Sequence, residues 1–570
     1  MKTKIIASLI LRCAKTRLAA AAVSMAGICL ACPASAATTW YWTGKGGDAN
    51  WFTAANWNTA ADGSGNDATE LASGDSFTFG ADAPAEITYN PSAADFAVGS
   101  VTFASGAPSI VVKGDAIARI SSVTNSSGLE QTFSNAVAFA STANVSGSSA
   151  ASPVTFAGGA TATKPASATC FSGNWTLTPG GTWQLGNNSY TALSGSHIVV
   201  IGSVEADNSD AKKNGRFTVN EGAKLEITGN FWARPSADDS WRAFQTINGT
   251  VDIKGSFEMS SWYGYWSGKY HNTAWGWPTI AADGNGTLAV GKTMSWTVPI
   301  SGQKALSFGV KRLVCGKNWT WKLGTSNTVG LNFPNDFEFR AGGDFTLPGI
   351  TGNQNGTLAG KSFHFNTTDF YDGETGRTIV ISGTISSQKA NSERGFSAFG
   401  NGTVVFNCDY TNFTGGFTAS NGVRVVLASG KRPGQNPVTM KEGTTLAVTN
   451  SVTTGAIGGS GAVTLESGSA LAFNFSSTTV APIFAFNSGA TLSLPAAGEE
   501  PVKVKVTADE GLEFDFGSAY TITSNGKFPD DAVASGKIAL SEDSASWVSL
   551  SVASGNLVVT KKPFFHITVR

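Results

Sequence analysis

Short alternations of apolar and polar residues recur along the chain, and the three-to-four spacing of an amphipathic helix is nearly absent. Ser76-Phe77-Thr78-Phe79, Val404-Val405-Phe406, Leu446-Ala447-Val448 and Leu557-Val558-Val559 are examples, punctuated by Gly, Asn and Ser. A period of two sends successive side chains to opposite faces, so the pattern predicts strands of about four to six residues separated by turns. The pattern also returns. Gly-small-x-Leu-x-apolar appears as Gly222-Ala223-Lys224-Leu225-Glu226-Ile227, Gly443-Thr444-Thr445-Leu446-Ala447-Val448, Gly468-Ser469-Ala470-Leu471-Ala472-Phe473 and Gly489-Ala490-Thr491-Leu492-Ser493-Leu494. Asn285-Gly286-Thr287-Leu288-Ala289-Val290 is a shortened relative. The steps from Gly443 to Gly468 and on to Gly489 are 25 and 21 residues. A return in the low twenties fits one turn of a parallel β-solenoid, whose strands stack on their equivalents at roughly 4.8 Å. A string of immunoglobulin-like sandwiches would instead show blocks of about 100 residues, and no such boundaries are visible. The expectation is an all-β chain with a solenoid over residues 91–500, in roughly 16–20 turns at that period.

Composition narrows the function. Gly is 67 of 570 residues with 19 Pro and no Gly-X-Y period, which excludes collagen. Charged residues make up 14% and the formal charge is −1, which excludes a nucleic-acid binder that works by phosphate neutralisation. With 41% hydrophobic and 11% aromatic residues the chain can bury a large core, unlike a charged disordered segment.

Residues 1–36 read as an export leader. Lys2, Lys4, Arg12, Lys15 and Arg17 form a basic start, Leu18 to Ala31 is a short apolar run, and Ala34-Ser35-Ala36 is a small-residue cleavage site. Removing those five basic residues takes the charge from −1 to −6. No later stretch is apolar for long enough to span a bilayer as a helix. Cys13, Cys29 and Cys32 lie in the leader, leaving Cys170, Cys315 and Cys408 without any CxxC or Cys/His spacing. These three read as small buried hydrophobes, with one long-range disulfide left open for an exported chain. Residues 37–90 form a Trp-rich cap, in which Trp40, Trp42, Trp51 and Trp57 cover the open first turn. Residues 501–570 form a short C-terminal β region.

One stretch carries a family resemblance. Gly402-Thr403-Val404-Val405-Phe406, Tyr410-Thr411-Asn412-Phe413-Thr414-Gly415-Gly416-Phe417-Thr418 and Asn421-Gly422-Val423-Arg424-Val425-Val426 resemble the autotransporter-associated β-strand repeat. Phe413 stands where that repeat usually has Tyr, and Phe417 where it has Thr. The opening Trp40-Tyr41-Trp42-Thr43-Gly44, Asn50-Trp51, Ala55-Asn56-Trp57 and Asp75-Ser76-Phe77-Thr78-Phe79, with Val98-Gly99-Ser100-Val101-Thr102-Phe103, is similar to the start of such proteins. The resemblance implies a right-handed parallel β-helix of the secreted passenger type. The roughly 80 residues after Gly489 are too few for the family's membrane barrel, so the chain is expected to lack a translocator of its own.

Parallel β-helices also carry polysaccharide lyases and hydrolases, which gather Asp, Arg or Lys on one face, often with calcium or a His. Asp238-Asp239 and Asp530-Asp531 are adjacent pairs that would point to opposite faces of a strand, so they read as solvated turn residues. His197, His271, His364 and His566 sit in unrelated contexts, and Lys45-Gly46-Gly47-Asp48 occurs once and reads as a turn. No catalytic residue, metal or cofactor is assigned. The aromatic segment is the candidate ligand site: Trp262, Tyr263, Tyr265, Trp266, Tyr270, Trp275 and Trp277, in an insertion over 255–285. A self-packed loop and a platform for stacking sugar rings are both open for it. The expected function is that of an exported, surface-associated structural or adhesin-like protein, extracellular or outer-membrane associated rather than periplasmic. Its expected partner is a carbohydrate or another cell-surface ligand, with oligomeric state open. A polysaccharide lyase or hydrolase is the alternative.

Overall fold

The computed structural model describes residues 37–165, 170–207, 215–234, 242–260, 265–266, 269–270, 280–282, 284–297, 306–323, 331–333, 336–348, 350–351, 362–386, 395–411, 415–433, 437–514 and 518–562. Among them the only helical element is a 3-10 turn at Ala54–Asn56; the rest of the regular structure is strand. The strands stack in parallel as a solenoid of about 13 turns.

Alternation explains how each turn finds its core. Ile198, Leu225, Val251, Leu288, Leu313, Phe339 and Phe365 pair each with the next along one sheet. The column continues through Ala398, Ala419 and Met440 to Leu465, and every member is buried. A residue in such a column meets an equivalent above and below, so a one-residue slip would turn the whole apolar set outward. Rings stack in the core: Phe339 on Phe365 at 5.9 Å within this column, and Phe365 on Phe396 of the adjoining one at 5.9 Å between ring centroids. A second face carries Ile379, Val404, Val425, Leu446, Leu471 and Val504 in register. In the middle of the stack a further sheet aligns Val204, Phe231, Phe257 and Met294.

Turn length varies while strand register holds. The register between successive turns spans 27 residues from Val200 to Ile227, 37 from Thr250 to Thr287 and 33 from His364 to Ser397. The extra residues fall in sequence between paired strands, where lengthening a connection costs little. This variation explains why the expected 16–20 turns exceed the number found. Gly-small-x-Leu marks any passage from a turn into a strand, not one face. Leu446 does stack on Leu471, but Leu225 lies in the other sheet, and Leu492 pairs with Val463. The 21-residue step from Gly468 to Gly489 therefore crosses between sheets instead of closing a turn. At one such passage Asn421 and Gly422 both have positive φ, 55° and 78°, the left-handed geometry that the Asn-Gly pair adopts readily.

Both ends depart from parallel stacking. Thr39–Trp42 pairs in parallel with Ser76–Phe79 and antiparallel with Trp57–Asn58. Trp42, Trp51 and Trp57 are buried against Phe77 and Phe79. The half-buried Trp40 donates its indole N–H to Asp75 at 2.8 Å. The ladder thus begins inside the region read as a cap. It also runs beyond the boundary placed at 500: Val502–Ala508 pairs with Ala470–Phe475, and Ile538–Leu540 follows. The alternating Val502-Lys503-Val504-Lys505-Val506 faces its valines inward, which continues the core instead of ending it. The antiparallel strands Val548–Ala553 and Asn556–Lys561, with Ala519–Thr521, follow. Cys315 and Cys408 are core residues and Cys170 is half-buried. Burial pushes the Cys315 thiol well above its usual range.

Candidate functional site

Outward positions of a parallel sheet line up as inward ones do. On the face that carries the Ile198-to-Leu465 column, one outward rank reads His197, Lys224, Thr250, Thr287, Arg312, Glu338, His364 and Ser397. The neighbouring rank reads Val199, Glu226, Asp252, Ala289, Val314, Arg340 and Asn366. Lys224 Nζ lies 2.7 Å from Glu226 and Lys254 Nζ 2.7 Å from Asp252. Arg312 reaches Glu338 at 2.8 Å and donates to the Thr287 hydroxyl at 3.3 Å, while Asn366 Nδ2 donates to the other Glu338 oxygen at 2.9 Å. Burial alone would raise the Glu226 carboxyl, but Lys224, Lys254 and His197 outweigh it and hold the carboxyl below its ordinary range. Each of these carboxylates is met by a cation. The face therefore offers hydrogen-bonding groups with little net charge, not a pair of carboxylates poised for acid–base work.

A loop after Asn366 returns over this face. Asp369 Oδ1 accepts from the Tyr371 amide at 2.7 Å, and its other oxygen meets Arg377 Nε at 2.6 Å. The Tyr371 hydroxyl donates to Asp252 Oδ1 at 3.2 Å, across 119 residues. At the loop's tip Asp372 accepts from the Thr375 hydroxyl and from the Thr375 and Glu374 amides, which lowers its pKa to about 2. An unfolded Asp titrates near ~3.9, so this contribution is complete above about pH 4 and is lost as pH falls through about 2. Pepsin cleavage within residues 367–377, divided at each pH by cleavage of an unfolded peptide of the same sequence, is thus expected to rise between pH 4 and pH 2 in the parent. In Asp372→Asn it is expected to be high already at pH 4, with little further change.

A different surface forms near the N-terminus. Ser76, Ser100 and Ser122 share an outward rank with Asn144, where the Ser100 amide donates to the Ser76 hydroxyl at 3.1 Å. Beside it runs the rank Tyr41, Thr78, Thr102, Thr124 and Ser146. Thr124 and Ser146 hydroxyls are 2.9 Å apart. Two ranks of uncharged hydrogen-bonding side chains thus lie over the buried column Phe77, Val101, Val123 and Val145.

The structure describes the proposed ligand residues only in part. Tyr265–Trp266 and Lys269–Tyr270 form a two-stranded antiparallel hairpin; Trp262, Tyr263, Trp275 and Trp277 lie outside the described residues, as do residues 1–36, Asp238-Asp239, His271 and His566. Asp530 and Asp531 are exposed in a turn. Asp48 is bound locally, by the Thr53 hydroxyl, the Asn50 amide and Asn56, which lowers its pKa. His197 and His364, which look unrelated in sequence, share one rank, a correction that only register could supply. The charged face itself was missed. Its signal is nonetheless present as charged pairs two residues apart around a buried one: Lys224-x-Glu226, Asp252-x-Lys254 and Glu338-x-Arg340. No group of three or more His, Cys, Asp or Glu able to hold a metal ion, and no helix long and apolar enough to cross a membrane, occurs among the described residues. No protein-family model, curated protein or solved structure matches the chain.

Proposed function

We propose that the chain is an exported, surface-associated β-solenoid of the autotransporter-associated repeat type, with a structural or adhesive role toward a carbohydrate or another cell-surface component. The observation that carries this reading is the pair of uncharged ranks from Ser76 to Asn144 and from Thr78 to Ser146, a continuous hydrogen-bonding surface on the ladder. The repeat-like stretch supports it, since Val404 stacks on Val425 and the motif therefore spans one turn. Regular hydroxyls suit a partner that is itself repetitive and rich in hydroxyls, such as a polysaccharide chain. Each bond contributes only about 1 kcal/mol, and many copies on one surface multiply the effect.

The test is retention of the purified protein on insoluble polysaccharides and on whole cells. Thr102→Lys with Thr124→Lys, which keeps the outward positions solvated, is expected to lower retention about tenfold. Unchanged retention of a folded double variant would contradict the reading. If the segment containing Trp266 and Trp275 supplies stacking, Trp266→Ala and Trp275→Ala will weaken retention per folded molecule; early melting with unchanged retention makes the segment structural. The alternative, a polysaccharide lyase or hydrolase, finds no support in the charged face, whose carboxylates are each met by a cation. Oligosaccharides released from a panel of acidic and neutral glycans would establish it against the adhesive reading.

A further inference from the structure

We infer that residues 367–377 form a strap that fastens several turns of the solenoid into one unit, a role independent of any ligand. The outward rank advances turn by turn from Asp252 through Ala289, Val314 and Arg340 to Asn366. The loop then sends Tyr371 back in the opposite direction to Asp252. Three outward side chains along that path, Asp252, Ala289 and Val314, are 0% exposed, whereas Val199 and Glu226 in the same rank are only half-buried. Gly342 places the ring edge next to Val314: a Cβ there would stand 2.9 Å from Tyr371 Cε2 and 2.9 Å from Val314 Cγ1. The Lys254 ammonium lies 4.4 Å from the ring centroid on the far turn.

The near end is anchored as firmly. The Phe370 amide donates to the Ala341 carbonyl at 2.8 Å, and Asp369 and Thr375 close the loop through a backbone bond of 2.8 Å. Arg340 donates to the Asp369 carbonyl at 3.3 Å, and its guanidinium sits 5.4 Å from the Phe370 ring. In a simple stack each turn contacts only its neighbours, so opening can spread one turn at a time. A contact from the turn of Asn366 to the turn of Asp252 skips the intervening ones. Those turns cannot leave individually until the strap lifts.

Hydrogen exchange on the full chain, read by mass spectrometry, tests this. Peptides that contain Thr250–Ile253, Thr287–Val290, Arg312–Gly316 and Phe337–Gly342 are expected to open together in the parent. Tyr371→Phe keeps the ring and removes the bond to a carboxylate, so protection in all four should fall together by about tenfold to a hundredfold. Gly342→Ala, which displaces the ring, should act in the same direction. Peptides with Ala97–Phe103 and Ala118–Asn125 should not change. Tyr371→Phe combined with Asp252→Asn should lose no more than the larger single change. The strap is overturned if both Tyr371→Phe and Gly342→Ala leave the four peptides unchanged, or if protection falls only next to the loop or equally in the distant peptides.

Discussion

Trp51→Ala is expected to destabilise the N-terminal end by about 3–5 kcal/mol, the usual cost of deleting a buried large aromatic side chain. Trp51 is 0% exposed. Its ring meets Phe77, Phe79 and Tyr89 with centroids 5.4, 4.9 and 5.3 Å away, all edge-to-face. Its carbonyl accepts the Trp57 indole N–H at 2.6 Å, so a collapse at this point also disturbs the strand that turns the ladder antiparallel. The Trp51 indole N–H has no hydrogen-bond partner among the described residues. Trp51→Phe should therefore cost much less, under about 2 kcal/mol, because it keeps an edge-to-face ring and removes an unsatisfied donor. Urea unfolding followed by tryptophan fluorescence would separate the two variants, and equal losses would mean that shape matters less here than the contacts indicate.

Gly147→Ala should be nearly as damaging, at about 3 kcal/mol. Gly147 has φ +71°, which costs an L-residue roughly 1–2 kcal/mol. A Cβ there would stand 1.9 Å from the Asn125 carbonyl oxygen, a backbone atom in the turn below. Asn125 is buried, and its side-chain amide donates to the Leu129 and Ser152 carbonyls at 2.8 and 3.1 Å. Moving it would leave buried donors without partners, at a further 1–3 kcal/mol or so. Gly128 is the control. It has φ +76° and open space around its Cβ position, so Gly128→Ala should cost only the backbone strain of about 1–2 kcal/mol.

Much of this architecture is legible in the sequence because a solenoid repeats its physics. Period-two segments such as Ser76-Phe77-Thr78-Phe79 identify strands, and their steady return identifies stacking. What a single period cannot show is which sheet a strand joins. Gly468 and Gly489 open similar strands in different sheets, and this inflated the number of turns expected. Val502-Lys503-Val504-Lys505-Val506 looks like a terminal strand until its register with Ala470–Phe475 is known. The same limit hid the charged face. Lys224-x-Glu226 and Asp252-x-Lys254 are local and visible, but Tyr371 belongs with Asp252 only through a return of 119 residues. Composition carries no trace of such a contact, since it depends on the sum of all intervening turns.

The parallel register itself is tested most directly by distances between paired spin labels. With one label at position 250 and the second at 418, 439 or 464, the partners lie six, seven and eight strands up the same rank. At roughly 4.8 Å per strand the separations should be about 29, 34 and 38 Å. They should rise by one strand spacing each time, although the steps in sequence are unequal. Distances that fail to increase in this order, or that do not rise by about one strand spacing at each step, would contradict the solenoid.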